Sequence, residues 1–176
     1  RDSQDTYCNN EDVILINKAV SSDNAKVDFF IPHLPNKHTV STCSKLWHTG
    51  RFHDIFKAGY TTIQTETVSI DSLIETYGIP ERIKIDVEGY EYNVIKSMTI
   101  KHDCIISFEW TSEKNSEFLY ENIKVLEYLK NLGFCNGAVT FSNDYNNPKV
   151  YESIDDIISY FGNLVSYGAW GDTFVK

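Results

Sequence analysis

The chain has 176 residues, a net charge of −9, 41% hydrophobic residues and 14% aromatic ones. That length suits a single domain with a substantial buried core, and the apolar content excludes a disordered segment. The acidity argues against a nucleic-acid backbone or an anionic membrane surface as partner, because both call for a basic face.

No apolar run nears the ~18 residues that would cross a bilayer, and the stretch from Arg1 to Asp12 lacks a signal-peptide core. Cys8, Cys43, Cys104 and Cys135 show no metal-ligand spacing, and no Asn-x-Ser/Thr acceptor occurs. A reducing, cytoplasmic setting is expected on that basis.

In chain order, the apolar run 13–16 reads as a buried strand and 26–31 as a second. Residues 32–59 form a long irregular stretch, and Trp47, Phe52, Ile55 and Phe56 give it apolar anchors. Structureless stretches of that length inside a compact domain are usually functional or disordered. Residues 61–70, rich in Thr and Ile, predict a strand. Ser69 or Asp71 then caps a helix through Tyr77, which Gly78 and Pro80 end.

Residues 82–86 predict a short strand, 90–98 a helix and 104–110 a further buried strand. Leu119, Ile123, Leu126 and Leu129 mark a helical stripe within Ser116–Leu132, closed by Gly133. A strand over 134–141, a turn-rich loop over 142–149, a helix over 152–161 and a last strand over Trp170–Val175 complete the chain. Strands separated by helices indicate a mainly parallel α/β sheet.

The stretch richest in chemistry is Arg82-Ile83-Lys84-Ile85-Asp86-Val87-Glu88-Gly89-Tyr90-Glu91. In an open α/β sheet, ligands sit beyond the carboxyl ends of the strands, which is where Asp86 and Glu88 fall. Gly89 permits a close backbone approach there. A helix N-terminus also favours acids, by ~0.3–1 kcal/mol each, so a cap and a ligand site both account for the pair. Glu91 reads as an exposed residue of the following helix.

Glu109, followed by Trp110, ends the next strand. Adjacent strand ends lie ~5 Å apart, which brings Glu109 within reach of the crevice that Asp86 faces. Two nearby carboxylates raise one pKa, as a general base near neutral pH requires. The stretch Ser-Thr-Cys-Ser-Lys-Leu-Trp-His-Thr-Gly-Arg-Phe-His offers Trp47 as a stacking platform, Arg51 as a fork for carboxylate or phosphate, and His48 and His53 as bases. A surface loop pinned by Trp47 and Phe52 is the alternative. An oxygen-rich set of Asp86, Glu88 and Glu109 would suit Mg²⁺ or Ca²⁺, but no spacing calls for a metal and none is expected.

The phrase Ile83-Lys84-Ile85-Asp86-Val87-Glu88-Gly89-Tyr90-Glu91, preceded by Thr67-Val68-Ser69-Ile70-Asp71-Ser72-Leu73-Ile74, resembles the core of the FkbM-type S-adenosylmethionine-dependent methyltransferases. The resemblance implies a class I, Rossmann-like doubly wound sheet of order 3-2-1-4-5-7-6. Residues 1–176 would form the carboxyl-terminal portion of that single domain, without its first two strands. It implies S-adenosyl-L-methionine as methyl donor and Asp86 as the strand-four acid; with Glu109 placed beside it by strand adjacency, Asp86 or Glu109 is the expected catalytic proton acceptor. Asn17, Ala19, Asp86, Glu88 and Gly89 would border the donor. Trp47, His48, Arg51, His53 and Trp110 would hold a hydroxyl-bearing sugar, glycan or small natural product.

The donor-binding Gly-x-Gly loop and the family's Glu-Pro pair do not occur in these residues. Further strands carrying them are therefore expected ahead of Arg1. Two rival readings use the same residues: a binding module that has lost catalysis, and a metal-dependent hydrolase or glycosyl-group transferase.

Overall fold

The computed structural model describes residues 12–22, 25–112, 116–142, 144–164 and 168–176; Cys8 and the first eleven residues lie outside the described part. A small sheet comes first, from β1 (Ala19–Val20), β2 (Lys26–Pro32) and β3 (Tyr60–Val68), in the order β1-β3-β2. β2 runs antiparallel to β3 from Lys26↔Glu66 to Pro32↔Tyr60, and β1 joins the other edge of β3 in parallel. The Thr- and Ile-rich sequence of β3 suits such a pleated surface.

A larger sheet follows, from β4 (Arg82–Ile85), β5 (Ile105–Thr111), β6 (Gly137–Phe141), β7 (Asp144–Tyr151) and β8 (Trp170–Val175), in the order β4-β5-β8-β6-β7. Here β4 and β5 are parallel, whereas β8 slots antiparallel between β5 and β6, and β7 forms a hairpin with β6. The sheets are therefore mixed, which corrects the expectation of a mainly parallel one. The sequence pattern registers that helices intervene, but not the direction in which the last strand returns.

The helices are α1 (Lys45–Thr49), α2 (His53–Phe56), α3 (Ile70–Tyr77), α4 (Glu91–Ile95), α5 (Ser116–Leu132) and α6 (Ile154–Gly162). The caps are legible in the sequence. Ser69 Oγ accepts the Ser72 N–H at 3.0 Å to start α3, and Gly78, at φ +90°, ends it. Ser153 caps α6 in the same way. Ile106, Phe108 and Trp110 alternate inward from β5 against Val125, Leu126 and Leu129 of α5 and Ile154, Ile157 and Phe161 of α6. The alternate residues of the same sheet, Lys84, Glu109 and Asp172, stay exposed or half-buried on its other face.

Three further expectations change. The run 13–16 is not a strand: Ile14, Leu15 and Ile16 are 64%, 46% and 39% exposed, and no strand among the described residues pairs with them. Without a neighbour to take its backbone groups, an apolar run gains nothing by extending. Most of the expected loop 142–149 belongs to β7, an exposed edge strand that tolerates Pro148 because one of its sides faces solvent. The long stretch 32–59 is not structureless either; it holds α1, α2 and a 3₁₀ turn at His38–Val40.

Candidate functional site

The chain leaves β4 at Ile85 and turns sharply before α4. Glu88, at φ +53°, and Gly89, at φ +88°, both adopt left-handed backbone, a conformation that favours glycine and is rare for glutamate. The turn is held on two sides. From α4, the Glu91 carboxylate accepts the Gly89 N–H at 3.2 Å and the Val87 N–H at 3.4 Å. From the 32–59 stretch, Thr42 Oγ1 donates to the Glu88 carbonyl at 2.7 Å.

The same stretch lies directly on the turn. Ser44 Oγ accepts the Trp47 N–H at 3.3 Å and starts α1, which sets the Trp47 ring over Gly89. A Cβ at position 89 would fall 1.6 Å from Trp47 Cδ1, so only glycine fits. The Arg51 guanidinium stacks 4.5 Å from the Trp47 ring centroid and 5.2 Å from that of Phe52. It reaches Glu109 at 3.6 Å, with side chains only 14% and 17% exposed. Glu109 sits opposite Asp172 in the β5–β8 ladder, and Asp172 pairs with Lys84.

Carboxylates thus crowd one rim. Burial pushes Glu88 up to about 7, Glu109, Asp86 and Glu91 add to the rise, and Arg51 opposes it. Glu109 is likewise raised, first by burial and then by Asp86, against Arg51 and Lys84. The Tyr145 hydroxyl, on β7, is raised by burial and then by Asp172, Glu109 and Asp86, against Lys84. Asp86 itself is exposed at the end of β4.

Two cavities meet at Asp86. One, of about 410 Å³, is lined by Asn17, Ala19, Phe29, Cys43, Asp86 and Tyr90 among others. The other, of about 490 Å³ and mostly apolar, has Ile14, Ile16, Ile74, Tyr77 and Ile83 in its walls. Among the described residues no three His, Cys, Asp or Glu side chains are grouped to hold a metal ion, and no helix is long and apolar enough to cross a membrane.

Of the residues singled out from the sequence, Asp86, Glu88, Gly89, Glu109, Trp47 and Arg51 gather at this rim, and Asn17 and Ala19 face the adjoining cavity with Asp86. Three do not. His48 stacks on Phe30 at 4.7 Å between Phe56 and Tyr60, where burial lowers its pKa. His53 points to solvent beside Asp54. Trp110 is buried in the core, its Nε1 donating to the Thr140 carbonyl at 3.1 Å. Neighbours on a strand face opposite ways, so Glu109 and Trp110 cannot serve one site. Thr42, Lys84 and Asp172 also sit at the rim. Lys84 and Thr42 lie inside the two stretches the sequence singles out, although neither is assigned a role there, whereas no spacing connects Asp172 to the motif.

Glu91 corrects an expectation directly: it is buried, 7% exposed, with burial pushing its carboxyl up to about 7 against its backbone hydrogen bonds. The ordinary carboxyl value is 4.5, so the folded state holds a proton that the unfolded state has released between about 4.5 and 7. The stability contributed by this group is complete below the lower value and is lost as pH rises through the upper one. The loss is on the order of 3 kcal/mol, at about 1.36 kcal/mol per pKa unit. Wild-type protein is therefore expected to lose melting temperature relative to Glu91→Gln between pH 5 and pH 8. Parallel melting curves for the two proteins over that range would exclude the effect.

Comparison with curated proteins and with solved structures gave no match. The methyltransferase FkbM domain family matches residues 2–135, which span the small sheet, the carboxylate turn, β5 and α5. The chain belongs to the methyltransferase FkbM domain family.

Proposed function

We propose that the protein is an S-adenosyl-L-methionine-dependent O-methyltransferase acting on a hydroxyl of a sugar, glycan or small natural product. The observation that carries this reading is the convergence of Asp86, Glu88 and Glu109 on one rim beside the cavity of about 410 Å³. The order β4-β5-β8-β6, with an antiparallel β8, accords with the 4-5-7-6 half of a class I methyltransferase sheet. In that arrangement the edge of β4 that no described strand covers, with the apolar cavity beside it, is where the first strands of such a sheet would lie.

The residues present suit two parts of the donor, its cationic end and its adenine. Its sulfonium and ammonium groups are cationic, which suits a cavity bordered by Asp86, and its adenine suits the walls formed by Phe29, Tyr90 and the Asn17 amide. When bound, the donor supplies an electrophilic methyl group. Asp86, or Glu109 beside it, orients the acceptor hydroxyl and receives its single proton, and Glu88, whose carboxyl burial raises to about 7, stands next to both. Arg51 fixes the direction of Glu109 and limits its rise. Trp47 and Arg51, which cover the carboxylate turn and Glu109, would hold the acceptor. Alignment of oxygen, carbon and sulfur is the main demand of such a displacement, so positioning outweighs acid–base strength. Among the described residues Cys43, Cys104 and Cys135 are free thiols.

The test is calorimetric titration of the full-length protein with S-adenosylhomocysteine. Saturable one-to-one binding is expected. No binding at millimolar concentration would leave the chain a non-catalytic module and end the reading.

A further inference from the structure

The turn that carries Asp86 and Glu88 is built from an improbable conformation, with two successive residues in left-handed backbone and only one of them a glycine. Such a turn persists only if its surroundings hold it. Its peptide groups have two holders, which come from different parts of the fold. The Glu91 carboxylate, on α4, accepts the N–H groups of Val87 and Gly89 through the same oxygen, Oε1. The Thr42 hydroxyl, on the 32–59 stretch, donates to the Glu88 carbonyl.

Thr42 is itself anchored. Its backbone exchanges hydrogen bonds of 2.8 and 3.1 Å with Phe30 of β2, and its Oγ1 accepts at 2.8 Å the N–H of Ser44, the residue that caps α1. The small sheet, the Trp47 helix and the carboxylate turn therefore meet at one buried hydroxyl.

We propose that Glu91 and Thr42 are the positioning residues of the carboxylate rim, a two-sided clamp that fixes the Glu88–Gly89 turn and so aims Asp86 and Glu88 at the site. Neither lines the two cavities that meet at Asp86, so each acts through the turn it holds. The meaning of this clamp for turnover rests on the methyltransferase reading; the clamp itself does not.

Charge enters as a secondary effect. An ionised carboxylate holds N–H groups more strongly than a neutral one. Facing Glu91 are Glu109 from β5 and Glu88 from the turn, with Asp86 and Arg51 acting on the same group of acids. Burial, with a smaller push from Glu109, moves its titration up to about 7, so the clamp tightens as pH rises through neutrality.

The experiment is amide NMR on the full chain, following Val87 and Gly89. Both signals are expected to share one pH midpoint near neutrality, a step that survives Glu88→Gln and disappears in Glu91→Gln. Amide exchange at the two positions is expected to accelerate at least tenfold in Glu91→Leu and in Thr42→Val, with Glu91→Gln, which keeps an acceptor oxygen, staying near wild type. A step lost in Glu88→Gln and kept in Glu91→Gln would overturn the proposal, as would exchange unmoved by both Glu91→Leu and Thr42→Val. Should Glu91→Leu not fold, Thr42→Val and the titration decide the matter.

A second arm measures kinetics on whichever neutral sugar of a panel accepts a labelled methyl group. Thr42→Val is expected to lower kcat at least tenfold with the acceptor KM moved less than threefold, and the reverse split would contradict a positioning role. If no sugar is methylated, the functional reading suffers while the amide arm still judges the clamp.

Discussion

Asp86→Asn is expected to lower methyl-transfer turnover by about 10²–10⁴-fold, the usual range for loss of a general base. Affinity for S-adenosylhomocysteine should change only a few-fold. Asparagine keeps the shape and one acceptor oxygen of aspartate but cannot take a proton. Asp86 is the exposed acid of the rim and borders both cavities, whereas Glu109 is half-buried behind Arg51. That contrast makes Asp86 the group an incoming hydroxyl meets first. Initial rates with labelled donor, together with calorimetric titration of the variant, check both halves of the expectation. Unchanged turnover would remove Asp86 from the mechanism; loss of binding in step with turnover would make it a donor ligand instead.

The parts of the site that can be read from the sequence are those written locally. An apolar strand, two acids and a glycine in one short run define where β4 ends and why the turn is tight, and the structure places all of them at the rim. Trp47 and Arg51 are legible by type, as an aromatic and a cation in a long connection, though not for their relation to each other. That Trp47 packs on Gly89 and Arg51 on Glu109 depends on contacts across 42 and 58 positions of chain, which no periodicity encodes.

Glu91 and Thr42 are hidden for the opposite reason. Each is a polar residue in a polar-looking context, and its burial is imposed by elements that arrive from elsewhere. Trp110 is separable from Glu109 by strand alternation alone, since neighbours on a strand face opposite ways. The antiparallel return of β8 and the edge strand β7 escape detection because strand direction and edge pairing are settled by backbone partners rather than side-chain pattern.

Gly89→Ala is the substitution with the largest expected effect on stability, about 3 kcal/mol or more from left-handed strain plus steric overlap. At about 2–4 °C per kcal/mol for a chain of this size, melting temperature should fall by roughly 6 °C or more. The strain term follows from φ +88° and would arise at any such position. The steric term is specific, because the new Cβ would sit 1.6 Å from Trp47 Cδ1 and the buried indole must move. Moving it also displaces the platform under Arg51, which holds Glu109. The two terms separate in a double-mutant cycle. In a Trp47→Ala background the indole is already gone, so Gly89→Ala should cost only about 1 kcal/mol, the strain of a non-glycine residue in left-handed backbone. A cycle in which the two costs simply add would show that the ring and the turn are independent. In that case the roof over the carboxylate rim would rest on something other than the contact between Trp47 and Gly89.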